Sequence, residues 1–172
     1  KNTKKYNIIS IGHRNPQGLH YLSKEKIIIN TEHGPKGGDE VNINFLNKNE
    51  IPNFGWPVAS YGAPYPGGDE NFFKENGYFK KSHSKYDFQV PLKDFTPAIV
   101  ISELTYNEKK LYVSSLRAES IYIIELTDDY KVKDQTRIKL DSRIRDLKYD
   151  KENDIFLILL ENIPAIGVLK FN

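Results

Sequence analysis

The sequence predicts an all-β fold, and two observations lead to this prediction. Short runs rich in Ile, Val, Tyr and Phe recur along the chain, separated by turn signals such as Asn15-Pro16, Gly37-Gly38 and Gly67-Gly68. No window of useful length places apolar residues at helical spacing, and good helix caps are not followed by amphipathic runs. Many short strands at such spacing are typical of a sandwich, a barrel or a propeller.

Ten segments are predicted as strands. They are residues 6–11, 26–30, 41–46, 98–106, 111–116, 120–126, 131–140, 145–149, 154–160 and 167–171. From residue 111 onward the strands form two meanders with short connections, and this arrangement is typical of propeller blades. Residues 58–91 are rich in Pro, Gly and aromatic side chains, which predicts a long loop or insertion that is either functional or mobile.

Composition excludes several classes of protein. The chain has 172 residues, a size suited to one domain, and its 25 Lys and Arg against 23 Asp and Glu leave a net charge of +2. Such a balance argues against nucleic-acid binding through phosphate contacts, and no apolar run is long enough to span a membrane. The absence of Cys excludes disulfides and thiolate metal sites. The absence of Met predicts a mature product or a fragment, with any signal sequence outside this chain.

The first polar motif is GHRNPQG, residues 12–18. Arg14 offers a planar fork of donors for carboxylate or quinone oxygens, and Asn15 supplies a neutral donor and acceptor. The bracketing glycines let the backbone approach a ligand closely. A polar β-turn that satisfies its own backbone is the alternative interpretation.

The second motif is EHGPKGGDE, residues 32–40. Gly34-Pro35 fixes a turn whose carbonyl oxygens are hard ligands of the kind that Ca²⁺ takes. Asp39 and Glu40 are candidates either to bind a cation or to anchor the loop. The alternative is a surface loop with solvated acids.

The third motif contains Arg143 and Arg145, which share one face of a predicted strand. Two adjacent guanidinium groups repel each other unless an anion lies between them or each has an acidic partner. Asp146 points to the other face and is not the obvious partner. The pair is therefore either a clamp for a small polyanion or a solvated strand end.

Taken together, these motifs resemble those of the soluble quinoprotein glucose/sorbosone dehydrogenases, a family that includes aldose sugar dehydrogenases. The matching stretches are GHRNPQGL (12–19), EHGPKGGDEVN (32–42), FGWP (54–57), LYVSSLR (111–117) and RIRDL (143–147). The resemblance implies a six-bladed β-propeller with pyrroloquinoline quinone (PQQ) and Ca²⁺ over its central channel. Residues 1–172 would be the C-terminal part of this single domain, roughly its last three blades.

The resemblance also implies site residues in the first two motifs. Arg14 matches an arginine near the substrate and the quinone carbonyls, which gives it a catalytic and a cofactor-binding role. Asn15 matches a neighbouring contact of PQQ. Gly34 and Pro35 match the pair whose main-chain carbonyls hold the Ca²⁺ that also binds PQQ.

Three further arginines are implied as cofactor ligands. Arg117 stands where the family has a basic residue, often lysine. Arg143 and Arg145 match arginines that pair with the carboxylates of PQQ, and a tricarboxylate suits two guanidinium groups on one face. Ala98 replaces a family threonine contact, which removes one hydroxyl from the implied site.

The activity implied by the resemblance is oxidation of an aldose at C1 by hydride transfer to PQQ, with Ca²⁺ as Lewis acid. The family's base histidine lies in its N-terminal half, and none of the four histidines here is expected to replace it. The partners implied are an aldose substrate and an external electron acceptor. The implied location is periplasmic or secreted, and a homodimer is left open.

Two other functions remain open from the sequence. A non-catalytic propeller that binds a glycan or a protein partner is favoured by Ala98 and by the aromatic loop 58–91. The other is a structural β-domain whose loops bind Ca²⁺ only for stability.

Overall fold

Eleven strands form three antiparallel sheets in the computed structural model, which describes residues 6–47, 50–80 and 82–171. The first sheet contains β1 (Pro16–Leu22), β2 (Ile27–Glu32), β3 (Asp39–Phe45) and β4 (Lys93–Phe95), in that order. The second contains β5 (Ile101–Asn107), β6 (Lys110–Ser115), β7 (Ser120–Leu126) and β8 (Val132–Lys139), also in order. The third contains β9 (Ile144–Asp150), β10 (Ile155–Leu160) and β11 (Ala165–Leu169), with β10 central. The all-β prediction is confirmed.

The inner strands of the second sheet are buried on both faces, because the other two sheets pack against it, whereas the outer strand β8 is exposed. Side chains alternate between faces along a strand, so neighbouring residues of β6 enter different cores. Leu111 and Val113 pack with Ile29 of the first sheet, whereas Tyr112 packs with Phe156 of the third sheet. This two-sided burial explains the consecutive apolar side chains of β6 (residues 111–113) and of β7 (residues 121–124). It also places the first strands of the three sheets, β1, β5 and β9, next to one another.

The start of the chain differs from the prediction. Residues 6–11 form no strand, and Ile11 makes only an isolated bridge with Asn53. Their apolar side chains are largely exposed, so no described sheet supports them. The first observed strand is β1, whose Pro, Gln and Gly residues predict a polar loop rather than a strand; pairing with β2 overrides that preference.

The long loop holds two short helices that the sequence analysis missed. They are α1 (Glu70–Glu75) and a 3-10 helix (Ser84–Tyr86). Asp69 caps α1, accepting hydrogen bonds from the backbone N–H groups of Asn71 and Phe72 at 2.9 and 3.1 Å. A six-residue helix is shorter than any window in which helical periodicity is visible. Neither helix of the described part is long and apolar enough to cross a membrane.

Candidate functional site

Arg14 is held at both its backbone and its side chain. Its backbone N–H donates to Glu32 Oε2 at 2.7 Å. Its Nη1 group donates to the carbonyl oxygens of His33 and Gly34, at 3.0 and 2.9 Å. Its guanidinium carbon lies 5.2 Å from the centre of the Trp56 ring. A guanidinium fixed in this way presents its remaining donors in one direction, as recognition of a planar ligand requires.

A buried carboxylate, Glu32, organises this part of the site. Besides the Arg14 backbone, Glu32 accepts from Asn42 Nδ2 at 2.5 Å and lies 3.1 Å from His13 Nδ1. The His13 ring packs against Phe54 with centroids 4.7 Å apart. Glu32 is only 3% exposed, and the hydrogen-bond donors around its carboxyl group offset the cost of burying it. Glu32 opens the second motif, yet nothing in that motif predicts this organising role.

The Gly34-Pro35 turn is tied to the second sheet. Asp39 accepts from the Gly34 N–H at 3.2 Å and from the Ile101 N–H at 3.1 Å. The His33 ring contacts the Ile101 carbonyl through Nε2 at 2.5 Å. A Cβ at position 34 would lie 2.2 Å from the Gly38 carbonyl oxygen, so the backbone approach requires glycine. Asp39 therefore anchors the loop, one of the two roles expected for it.

Asn15 lies beside the turn on the exposed side. Its carbonyl accepts from the His33 N–H at 3.0 Å, and its Nδ2 atom is 3.5 Å from His33 Nδ1. Gln17 donates to Asn15 Oδ1 at 3.0 Å. The structure thus brings Arg14, Asn15, Gly34 and Pro35 together, four of the seven residues that the resemblance implied.

Arg143 and Arg145 share one acidic partner. Glu161 accepts from Arg143 Nη2 and Nε at 2.7 and 3.0 Å, and its second oxygen accepts from Arg145. The hydrogen bond from Arg143 is the main cause, and that from Arg145 a further one, that lowers the pKa of Glu161 below its ordinary value. The arginines do point to one side, and Asp146 is not their partner. Glu161, distant in sequence, was not foreseen.

Arg117 is the arginine with its side chain least engaged. It is exposed, and its backbone N–H donates to the Ile99 carbonyl at 3.1 Å. Its guanidinium makes no hydrogen bond or ion pair with another described residue. Ala98, which precedes Ile99 in the chain, is half-buried. No described hydrogen bond or ion pair joins Arg117, Arg143 or Arg145 to Arg14.

Buried hydroxyl groups connect the three sheets behind the site. Thr31 Oγ1 donates to the Ser102 carbonyl at 2.6 Å, and Ser102 Oγ donates to the Ile144 carbonyl at 2.6 Å. Ile144 lies between Arg143 and Arg145 in sequence, so the chain of bonds fixes the backbone of the arginine pair. Thr31 and Ser102 are not predictable as site residues, because hydroxyl residues in strands carry no distinguishing signal.

A second buried cluster lies beneath the turn. The pKa of Glu40 is raised to about 8, mainly by burial and next by the charge of Glu32. His83 Nε2 is 3.8 Å from Glu40, and burial lowers the pKa of His83. The His83 ring stacks on Tyr61 with centroids 4.7 Å apart. At pH 7 this cluster therefore holds a protonated carboxyl next to a neutral imidazole.

The donor set fits Ca²⁺ and a tricarboxylate. No cluster of three or more acidic or histidine side chains suited to a metal occurs among the described residues. Main-chain carbonyl oxygens are the remaining candidate ligands for the metal. The Pro35 carbonyl has no described hydrogen-bond partner, and the Gly34 carbonyl uses one of its two lone pairs for Arg14. Arg117 offers an unpaired guanidinium to a carboxylate.

Residues 1–164 match the family model for Glucose / Sorbosone dehydrogenase. The uncharacterized protein slr1608 of Synechocystis sp. is 30% identical over 161 residues, which cover 89% of this chain and 36% of that protein. The aldose sugar dehydrogenase YliI of Escherichia coli is 28% identical over 169 residues, which cover 90% of this chain and 41% of that protein. The chain thus spans less than half the length of these relatives.

Solved structures have the same fold. A crystal structure of glucose dehydrogenase matches with a TM-score of 0.74 at 27% identity, over 94% of this chain and 45% of that one. The PQQ-bound form of an aldose sugar dehydrogenase from Streptomyces coelicolor matches with a TM-score of 0.64 at 22% identity, over 92% of this chain and 43% of that one. The structural neighbours are β-propellers, so the three sheets are propeller blades.

Proposed function

This chain belongs to the glucose/sorbosone dehydrogenase family, and on that basis we propose that it is part of a PQQ- and Ca²⁺-dependent sugar dehydrogenase that oxidises an aldose at C1. The main structural support is Arg14, whose guanidinium is fixed between the Gly34 carbonyl and the Trp56 ring. We assign residues 1–172 to one propeller domain, with residues 58–91 as an excursion within it.

Each candidate residue has a role that its contacts suit. Gly34 and Pro35 would hold Ca²⁺ through their carbonyl oxygens, and Asn15 would donate to the cofactor beside them. Arg117 and the pair Arg143 and Arg145 would bind carboxylates of the cofactor. The pair would exchange Glu161 for the ligand, and exposed ion pairs of this kind are weak enough to exchange.

Bound PQQ and Ca²⁺ would supply the chemistry, a two-electron oxidation in which the metal acts as a Lewis acid. This chain's own contribution is electrostatic and positional. Arg14 places a fixed positive charge where negative charge develops on an oxygen, and it need not reorganise to do so. Glu32 keeps that charge in place, because it holds the Arg14 backbone and does not compete for the guanidinium.

The test is aldose-dependent dye reduction by the whole protein of which this chain is part, loaded with PQQ and Ca²⁺, because the base histidine implied by the resemblance is not expected within this chain. We expect Arg14→Gln to lower the turnover number by at least about 100-fold, as for the loss of one preorganised donor to a developing oxyanion. Arg137→Gln is the matched control, since Arg137 lies on β8 and bonds only within the second blade. Failure of the unaltered loaded protein to oxidise any aldose would contradict the proposal, as would an Arg14→Gln variant as active as the control.

A non-catalytic propeller that binds a glycan or a protein is the second candidate. One observation favours it: Glu161 already forms ion pairs with both arginines of the third motif. Calorimetry with PQQ separates the two functions, because the second candidate predicts no heat of binding under conditions where the dehydrogenase saturates.

The remaining expectations belong to the same proposal. We propose an external electron acceptor and a periplasmic or secreted location. Support comes from the family assignment and from soluble relatives such as the E. coli aldose sugar dehydrogenase. A homodimer stays a prediction.

A further inference from the structure

Three hairpin turns enclose a groove at the end of the blades that is far from Arg14. The turns join β1 to β2, β5 to β6 and β9 to β10, and the groove has a volume of about 430 Å³, within the usual range for small-molecule sites. Arg14 precedes β1, whereas the groove lies around the last residues of β1, and the seven residues of this strand span about 20 Å. The lining of the groove includes none of the candidate cofactor or metal residues. We call it the distal groove, and it is separate from the candidate site.

The distal groove has an aromatic surface on either side of β5. On one side, the rings of His20 and Tyr106 lie with their centroids 6.2 Å apart. On the other side, Tyr149 packs on Phe156 with centroids 4.9 Å apart. Tyr106 borders the core between the first two sheets, and Tyr149 borders the core between the last two, so each ring is held by packing on its inner side. His20, Tyr106 and Tyr149 are all partly exposed, and their accessible parts face the groove.

Polar side chains with unused hydrogen-bonding groups lie between these rings. Asn107 ends β5, Glu108 belongs to the turn that follows, and Lys151 belongs to the turn after β9. None of these three side chains makes a hydrogen bond or an ion pair with another residue of the described part of the chain. The amide both donates and accepts, the carboxylate accepts and the ammonium group donates. The groove can therefore pair with hydroxyl groups in either direction.

The charges of the distal groove favour an uncharged ligand. Lys24 and Lys151 stand against Glu25 and Glu108 in its lining, so neither sign is in excess. Burial lowers the pKa of His20, so its ring is neutral at pH 7. A wholly apolar ligand would cover the polar groups without pairing them, which costs free energy. The ligand that suits this lining has apolar faces and a hydroxyl-bearing edge, and a pyranose ring has both.

We propose that the distal groove is a glycan-binding site. Pyranose rings pack on Tyr106 and on Tyr149, and their hydroxyl groups pair with Asn107, Glu108 and Lys151. Aromatic surfaces on both sides of β5 suit two or more linked sugar units. Because the groove and Arg14 lie at opposite ends of β1, a glycan bound here is held and not oxidised. The site thus attaches the protein to an oligosaccharide or a sugar polymer, and it does not depend on the proposed dehydrogenase function.

The test is calorimetric titration of the whole protein of which this chain is part, in the absence of PQQ. The probes are cellotetraose and maltotetraose, two glucose oligosaccharides that differ in linkage and therefore in shape. Each is first reduced at C1 to its alditol, so that no aldose group remains for a dehydrogenase to oxidise. We expect at least one of the two probes to bind saturably.

A variant of one ring identifies the groove as the binding site. Tyr149→Ala should weaken binding about three- to tenfold, the effect expected from one lost ring contact. Tyr65→Ala is the matched control, because Tyr65 is also an accessible tyrosine but lies beside the Arg14 guanidinium. Tyr65→Ala and Arg14→Gln should both bind the probe like the unaltered protein.

A double variant of exposed residues keeps the test independent of folding. Glu108→Ala together with Lys151→Ala removes two hydrogen-bonding partners and should weaken binding at least about fivefold. Both side chains are exposed, so the core is not disturbed. The matched control is Glu125→Ala with Lys133→Ala, which removes an ion pair of the same charges from the outer strands of the second sheet.

The proposal fails if neither probe binds saturably, or if the double variant binds as tightly as its control. It also fails if Tyr65→Ala and Arg14→Gln abolish binding while Tyr149→Ala does not, since the probe would then occupy the candidate active site. The titration contains no PQQ and no oxidisable sugar. Failure of the dehydrogenase proposal therefore leaves this result unaffected, and failure here leaves PQQ binding to be tested by its own titration.

Discussion

Replacement of the buried carboxylate Glu32 by glutamine should destabilise the protein by about 2–4 kcal/mol. Glu32 accepts from the Arg14 backbone and from Asn42, and His13 lies within hydrogen-bond distance. Glutamine offers one oxygen in place of two, so an NH₂ group must face at least one buried donor. Hydrogen bonds to charged groups contribute about 1.5–3 kcal/mol, and an unsatisfied buried donor costs about 1–3 kcal/mol.

The assay is urea unfolding at pH 7, followed by Trp56 emission and by far-ultraviolet circular dichroism. Trp56 reports on the site because its backbone N–H donates to the Gly12 carbonyl at 3.0 Å. Glu125→Gln is the control, since Glu125 forms an exposed ion pair with Lys133, and its loss should change stability by less than about 0.5 kcal/mol. If Glu32→Gln unfolds within about 0.5 kcal/mol of that control, Glu32 does not organise the site.

Three further predictions concern the blades, the buried acids and the arginine pair. Ser102→Ala removes the hydroxyl that donates to the Ile144 carbonyl and should cost about 1–3 kcal/mol in thermal or urea unfolding; Ser84→Ala, at an exposed residue, should cost almost nothing. Because the pKa of Glu40 is raised to about 8, the folded state keeps a proton that the unfolded chain releases at lower pH. The free energy of unfolding should therefore fall as pH rises from about 5 to 8, and Glu40→Gln should flatten that slope; an unchanged slope would contradict the assignment. Glu161→Gln removes the carboxylate shared by the arginine pair and should raise PQQ affinity several-fold in calorimetry, whereas a fall in affinity would show that Glu161 positions the pair for the ligand.

The regular part of the fold was predictable because its signals are local. From β5 onward, every predicted strand overlaps an observed one, and short turns fix the order of the meanders. β1 was not predictable in this way. Its residues have poor strand propensity, and pairing with β2 together with packing on β5 decides its conformation. The short helix α1 depends on a single cap at Asp69, and no periodic pattern in the sequence predicts this helix.

The candidate site shows the same difference between local signals, which are predictable, and long-range contacts, which are not. Motifs that are compact in sequence, such as the Arg14 heptad and the Gly34-Pro35 turn, were found and do lie together. Residues that act through long-range contacts were not found. Ser102 and Glu161 acquire their roles only when distant strands meet, because a hydroxyl or a carboxylate alone does not reveal its partner.

The most direct test of the central claim is calorimetric titration of the protein with PQQ, with Ca²⁺ and again with a chelator. We expect saturable binding at one site per chain. The affinity should weaken when Ca²⁺ is removed and should fall at least about tenfold in an Arg143→Gln, Arg145→Gln double variant, equivalent to one charged hydrogen bond. Arg137→Gln should bind PQQ like the unaltered protein. No saturable binding, or equal affinity in the double variant, would contradict the assignment of this chain to PQQ chemistry.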